Sequence, residues 1–309
     1  MKTLIEKILV DSLALPKSMF VPSDITHFKV RLDREWPKWC WKLIKRKLVF
    51  YSLGRLFGLV SHENRLPAVH SRILWINISA PSLGDCLMDL ASISLLSRYH
   101  DVWLLTHPKT KGLCDLIDGF YAVFDSVIDV RHSRVNFDFV ICDSFAPRVL
   151  IKKFAVGNLL PFAGMYGFVN GFEVHRTIFS YARMCELLKS SDYSGVISSA
   201  PLNFERPRIH DEVPEDYIVV AVGGEWDFRT YKSWDKVLDR IIDKDVSCVL
   251  IGSSNGVEES LSLSKKFASV MNLVGQTSLA EVVNIIGNSK LFMGCDGGLW
   301  HIANSANIP

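Results

Sequence analysis

From residue 73 onward the chain alternates short apolar runs rich in β-branched residues with segments whose apolar residues fall at helical spacing, and this constrains the fold more than any other feature. A strand covered on both faces reads as an unbroken apolar run, and a parallel neighbour is reached only through a crossover long enough to hold a helix. The clearest runs of a first series are residues 73–78, 102–106 and 137–142, and helical spacing returns over 173–189.

A stretch rich in Ser, Pro and charge follows and predicts a linker over 191–215. A second series then begins, with strands at 217–222, 248–251, near 272–274 and 291–294, and helices from Trp234, over 257–268, over 278–287 and from Leu299. The pattern predicts an α/β protein of two Rossmann-like doubly wound domains facing a cleft, 72–190 and 216–309, behind an N-terminal extension over 1–71. The series stops at Pro309 where a further strand is expected, so the second domain reads as incomplete at its C-terminal end or unusually short.

With 309 residues, 49% of them hydrophobic and 22% charged, the chain has material for two cores, which argues against global disorder. The net charge of +2 hides an asymmetry: residues 1–72 hold 14 Lys or Arg against 6 Asp or Glu, leaving the remainder acidic. Seven cysteines stand singly, without a C-x-x-C pair or a zinc-ligand spacing, as expected of a reducing compartment. The N-terminus lacks the compact apolar run of a signal peptide, and no stretch reaches the roughly 18 apolar residues of a transmembrane helix. A cytoplasmic protein is expected.

Within the extension, residues 28–50 carry eight Lys or Arg, two acidic residues and Trp36, Trp39 and Trp41. Rings beside cations suit the surface of an anionic inner membrane. The alternative is a basic helix packed on the rest of the protein. No nucleic-acid motif accompanies the charge, so a nucleic-acid partner is not expected.

The most informative stretch is residues 291–309, where a strand runs into Cys295-Asp296 and a Gly297-Gly298 turn opens a helix. Such a junction offers backbone N–H groups and a positive helix end to a phosphate. Asp296 stands at the carboxyl edge of the strand, where open α/β sheets bind ligands, and His301 lies in the first turn of the helix. Read without a ligand, Asp296 is an N-cap and His301 a packed surface residue.

The order Gly275-Gln276-Thr277-Ser278-Leu279-x-Glu281, then Asp296-Gly297-Gly298-x-x-His301-x-Ala303, resembles glycosyltransferase family 9, the ADP-heptose:lipopolysaccharide heptosyltransferases. The resemblance covers about residues 72–309, is strongest after Tyr217, and implies the GT-B fold with donor on the second domain and acceptor on the first. It implies donor binding by Thr277, Asp296, Gly297, Gly298 and His301. Family members carry Ser or Thr at the position of Gly297, so one hydroxyl contact to the phosphates is missing here.

The segment around Lys232 and Trp234 resembles the family's loop in which a lysine reaches the donor diphosphate. A cation there offsets charge on the departing nucleotide without a metal; the alternative is a solvated loop lysine. Glu258, ahead of Glu259, is the residue the resemblance suggests for the donor ribose. Leu83-Gly84-Asp85 falls where the family has a Gly-Asp pair, whose aspartate is a general base on the acceptor hydroxyl. Asp85 read alone is equally a carboxylate favoured by a helix N-terminus, with Asp89 a turn later as a second candidate.

The resemblance implies an inverting, metal-independent transfer, with no cofactor, of a heptose from ADP-heptose to a lipopolysaccharide-core or lipid-linked glycan. The alternatives are a nucleotide-sugar 2-epimerase of the same fold and a non-catalytic truncated homologue.

Overall fold

The computed structural model describes residues 65–166, 175–189, 202–204, 213–224, 226–242 and 246–309, together with 41, 44–46, 48–50, 52–54, 58 and 63 of the extension. Trp36, Trp39 and most of the 191–215 stretch lie outside the described residues. The chain divides into two compact units, one formed by Met1–Pro81, Met88–Lys111 and Gly119–Ser198, the other by Ser82–Leu87, Gly112–Asp118 and Ser199–Pro309.

The first unit is built on five parallel strands, β1 (Arg72–Asn77), β2 (Asp101–Thr106), β3 (Ala122–Phe124), β4 (Phe139–Cys142) and β5 (Phe162–Gly164), in the order β3-β2-β1-β4-β5. Helices α1 (Leu83–Leu90), α2 (Ile93–Leu96), α3 (Pro108–Cys114), α4 (Val127–His132), α5 (Pro147–Gly157) and α6 (Arg176–Leu188) fall between or after them in the chain. Alternation along β1 sends Leu74 and Ile76 to one face, where they join Val140, Cys142, Phe145 and Phe162 in a buried cluster.

That cluster also receives the extension. The Phe50 ring lies 5.7 Å from Phe145 and 6.3 Å from Phe162, and Val49 and Leu53 pack beside it. The residues described there as helical turn Val49, Phe50 and Leu53 inward, while Trp41, Lys45 and Leu48 are exposed. Positions 41, 45 and 48 share one helical face, which explains the division.

The second unit holds four parallel strands, β6 (Tyr217–Ala221), β7 (Ser247–Ile251), β8 (Val270–Asn272) and β9 (Leu291–Gly294), in the order β8-β7-β6-β9. The intervening helices are α7 (Trp234–Ile241), α8 (Val257–Lys266), α9 (Leu279–Gly287) and α10 (Gly298–Ser305). Ile218, Val220, Trp234, Leu238, Cys248, Leu250 and Leu263 form its core. In each sheet the order reverses beside the first strand, β1 between β2 and β4, β6 between β7 and β9. A reversal leaves a crevice at the carboxyl ends of the two diverging strands, where such sheets take ligands.

Candidate functional site

In the second unit the crevice lies between the carboxyl ends of β6 and β9. β9 ends at Gly294, and α10 begins at Gly298 with Gly297 as its N-cap, which supplies no side-chain hydrogen bond. The amides of the first helical turn have no intrahelical acceptor, so an uncapped start leaves donors for an anion. Asp296 does not cap the helix. Its carboxylate, 62% exposed, turns to Arg229 at 3.5 Å instead.

Arg229 ends a short 3₁₀ turn, Asp227–Arg229, in the loop after β6. The loop is tied down at several points: the Gly224 N–H donates to Thr230 Oγ1 at 3.1 Å, Thr230 Oγ1 donates to the Trp226 carbonyl at 3.0 Å, and Asn255 Nδ2 donates to the Gly224 carbonyl. The Tyr231 N–H reaches the Cys295 sulfur at 3.3 Å. That last bond sets exposed Lys232 one residue from an anchor that adjoins Asp296. Lys232, Arg229 and Asp296 therefore share one edge of the sheet.

His301 is half-buried, and what it packs against was not evident from the motif. A Cβ built on Gly84 would lie 2.3 Å from His301 Cδ2, and one on Gly298 would lie 2.9 Å from Leu83 Cβ. Only glycine lets the Leu83-Gly84 backbone and the α10 start approach this closely. The segment Ser82–Leu87 thus belongs with the α10 loop, and half-buried Asp85 follows the glycine that touches His301. Gly297 is different: its backbone is extended (φ 173°), and the nearest atom to an added Cβ is Cys295 O at 3.9 Å. The site has room for the side chain that family members carry there.

The two aspartates of α1 have different surroundings. Asp89 is buried in the first unit, where Arg176 Nη2 donates to it at 2.8 Å and the Tyr166 hydroxyl at 2.6 Å. Burial pushes its carboxyl up to about 6, against the pull of Arg176 and Tyr166. Asp89 is a tie between α1 and α6, not a group presented to a substrate.

Glu258 is exposed on the first turn of α8, whereas Glu259 is half-buried, its carboxyl raised by burial and lowered by a Trp234 backbone hydrogen bond and the charge of Lys232. Of the two, Glu259 faces the Lys232 loop. Thr277 is half-buried just before α9. The Ser278 and Glu281 of the same motif form a capping box, with the Glu281 N–H on Ser278 Oγ at 3.3 Å and the Ser278 N–H on Glu281 Oε2 at 2.6 Å. Part of that motif is helix-start chemistry. Arg229 was missed in the sequence; its only signal was a cation three residues before Lys232 in a loop after a strand.

Among the described residues, no group of three or more His, Cys, Asp or Glu is placed to hold a metal ion, and no helix is long and apolar enough to cross a membrane.

Residues 178–309 match the model of glycosyltransferase family 9 (heptosyltransferase). No curated protein matches the chain. Among solved structures, it is similar to the family 9 glycosyl transferase of Veillonella parvula DSM 2008, with 13% identity over 80% of this chain and 81% of that one and a TM-score of 0.65. E. coli heptosyltransferase WaaC with ADP-2-deoxy-2-fluoro heptose is similar at 16% identity over 77% and 87%, TM-score 0.60. E. coli ADP-heptose lps heptosyltransferase II follows at 19% over 77% and 83%, TM-score 0.54. At these identities the likeness speaks for the fold, and both the α/β class expected from the alternation and the GT-B class implied by the resemblance hold.

Proposed function

We infer, from the match of residues 178–309 to the model of glycosyltransferase family 9, that this protein is a glycosyltransferase that moves a heptose from ADP-heptose to a lipopolysaccharide-core or lipid-linked glycan, with inversion. The observation that carries the reading is the edge formed by Lys232, Arg229, Asp296 and the uncapped start of α10. Cations and helix-end amides there meet a diphosphate, and a cation near the leaving nucleotide stabilises charge that grows in the transition state. ADP and an ADP-heptose analogue are the ligands named with the similar E. coli heptosyltransferase.

Asp85 acts as the general base. Inversion needs a carboxylate at the acceptor hydroxyl, on the face opposite the departing nucleotide. Its support is the closeness of Leu83-Gly84 to His301 and α10. Residues 72–190 take the acceptor side and 216–309 the donor side. Thr277, Gly297, Gly298 and His301 contribute to donor binding, a glutamate at the start of α8 holds the ribose, and no metal or cofactor is needed.

The enzyme works in the cytoplasm, at the inner face of the membrane. The exposed face of Trp41, Lys45 and Leu48 supports peripheral contact with anionic lipid. Liposome co-sedimentation checks this: binding to anionic vesicles that fades with salt is expected, and equal partitioning to neutral and anionic vesicles removes the idea.

Titration calorimetry with ADP and ADP-heptose tests the donor reading. Micromolar-range binding that Asp296→Ala weakens while the thermal midpoint holds is expected; unchanged affinity in that variant sinks the assignment. Nucleotide release that requires acceptor glycan separates transfer from 2-epimerisation.

A further inference from the structure

The loop after β6 exposes two large rings side by side, Trp226 at 53% and Phe228 at 80%, beside the donor edge. Their centroids are 6.4 Å apart and their planes 21° from parallel. Two such rings held in water at the ligand-binding end of a sheet form a contiguous apolar surface of the kind that marks a contact site. The surface is pre-formed: beyond the loop bonds already described, the Arg229 N–H donates to the Trp226 carbonyl at 2.9 Å and closes the turn that carries both rings. The Arg229 guanidinium lies 5.7 Å from the Phe228 centroid and 3.5 Å from Asp296, so it joins the rings to the α10 start.

We propose that Trp226 and Phe228, with the Arg229–Asp296 pair, form a shelf on which a pyranose ring stacks. A pyranose has an apolar C–H face and a rim of hydroxyls. The face matches the two rings, and the rim matches a guanidinium and a carboxylate held 3.5 Å apart. Position favours a sugar over a nucleobase: the sugar is bonded directly to the phosphate that α10 receives, whereas the base lies beyond the ribose. The proposal rests on the donor reading above. The ring comes either from the donor's sugar or from the acceptor glycan, and the measurements separate the two.

Calorimetry compares the parent with Trp226→Ala/Phe228→Ala and with Trp226→Phe, using ADP, ADP-heptose and a core oligosaccharide freed of acyl chains, with thermal midpoints measured alongside. Losing two aromatic faces is expected to weaken ring binding about 10-fold, with ADP affinity unchanged and Trp226→Phe close to the parent. Weakening for ADP-heptose assigns the donor sugar to the shelf. Weakening for the oligosaccharide alone assigns the acceptor. Equal weakening for ADP and ADP-heptose places a nucleobase there and overturns the proposal, as does unchanged affinity for both saccharides. A parent that binds no ADP removes the donor reading and the shelf with it, whereas ADP binding without any effect of the variants removes the shelf alone.

Discussion

The two sheets reverse strand order beside their first strands in the same way, yet their carboxyl edges are finished differently. In the first unit the residue after β4, Asp143, is buried and accepts the N–H groups of Ile78 at 2.8 Å and Ser79 at 2.6 Å, with the Ser79 hydroxyl at 3.0 Å. Ser144 meets the same hydroxyl at 2.9 Å, and Arg148 donates to the Ser79 carbonyl at 3.0 Å. Burial raises the Asp143 carboxyl and these hydrogen bonds pull it back. In the second unit the corresponding aspartate, Asp296, is exposed and the helix start lacks a cap. One topology thus makes two crevices. The first satisfies the Ile78 and Ser79 amides from within through Asp143, and the second leaves the first amides of α10 without a cap.

The largest test of that contrast removes the proposed base. Asp85→Asn keeps size and loses the proton acceptor, so turnover should fall about 10²- to 10⁴-fold with little change in ADP affinity or thermal midpoint; near-parental turnover would leave Asp85 a helix-start residue. Lys232→Ala should lower turnover about 100-fold or more, read in steady-state kinetics at saturating donor. A change of only a few-fold returns it to a solvated lysine.

At the closed edge the outcome should invert. Asp143→Ala strands the buried Ile78 and Ser79 amides, at a cost of about 1–3 kcal/mol each, so the denaturant midpoint should drop while ADP affinity of the folded protein holds. A loss of ADP affinity without a stability change would break the comparison.

Asp89 gives the contrast a pH dependence. Its folded carboxyl, raised from the ordinary 3.8 to about 6, binds its proton more tightly than the unfolded chain does. The stability this contributes is full below about pH 4 and is lost as pH rises through about 6. At about 1.4 kcal/mol per unit the loss is about 3 kcal/mol. Asp89→Asn should remove that slope from the difference between variant and parent unfolding curves, and a slope that persists would assign the titration elsewhere.

The smallest effect comes from partly closing the open edge. Gly297→Ser fits the space and adds a capping hydroxyl worth a few tenths of a kcal/mol over glycine, with donor affinity equal or tighter. Weaker donor binding would show that the bare turn, with its uncovered amides, is what the donor needs.

The sequence by itself determined the features that depend on neighbours a few residues apart. The run expected at 217–222 is β6 (Tyr217–Ala221), the run at 248–251 is β7 with one residue added, and 291–294 is β9. The helix expected over 278–287 begins one residue later, at the capping box of Ser278 and Glu281, two residues three apart. The Gly297-Gly298 helix start, and with it the resemblance to the family whose model residues 178–309 match, was legible for the same reason.

Tertiary structure decided the rest. The three-residue strands β3 (Ala122–Phe124) and β5 (Phe162–Gly164) are too short for a periodicity to show, and each is a strand because a parallel neighbour supplies its hydrogen bonds. The short strand expected near 272–274 falls at Val270–Asn272, in register with Cys248–Leu250. Nothing within one turn of α1 separates Asp85 from Asp89. They are separated by partners far along the chain, Arg176 and Tyr166 holding the one and His301 packing against the glycine beside the other. Arg229 joins Asp296 across 67 positions because β6 and β9 are hydrogen-bonded neighbours. Spacing along a chain encodes which face a residue takes, but which residue it meets across the fold depends on strand order, and that order is set by the packing of the whole sheet.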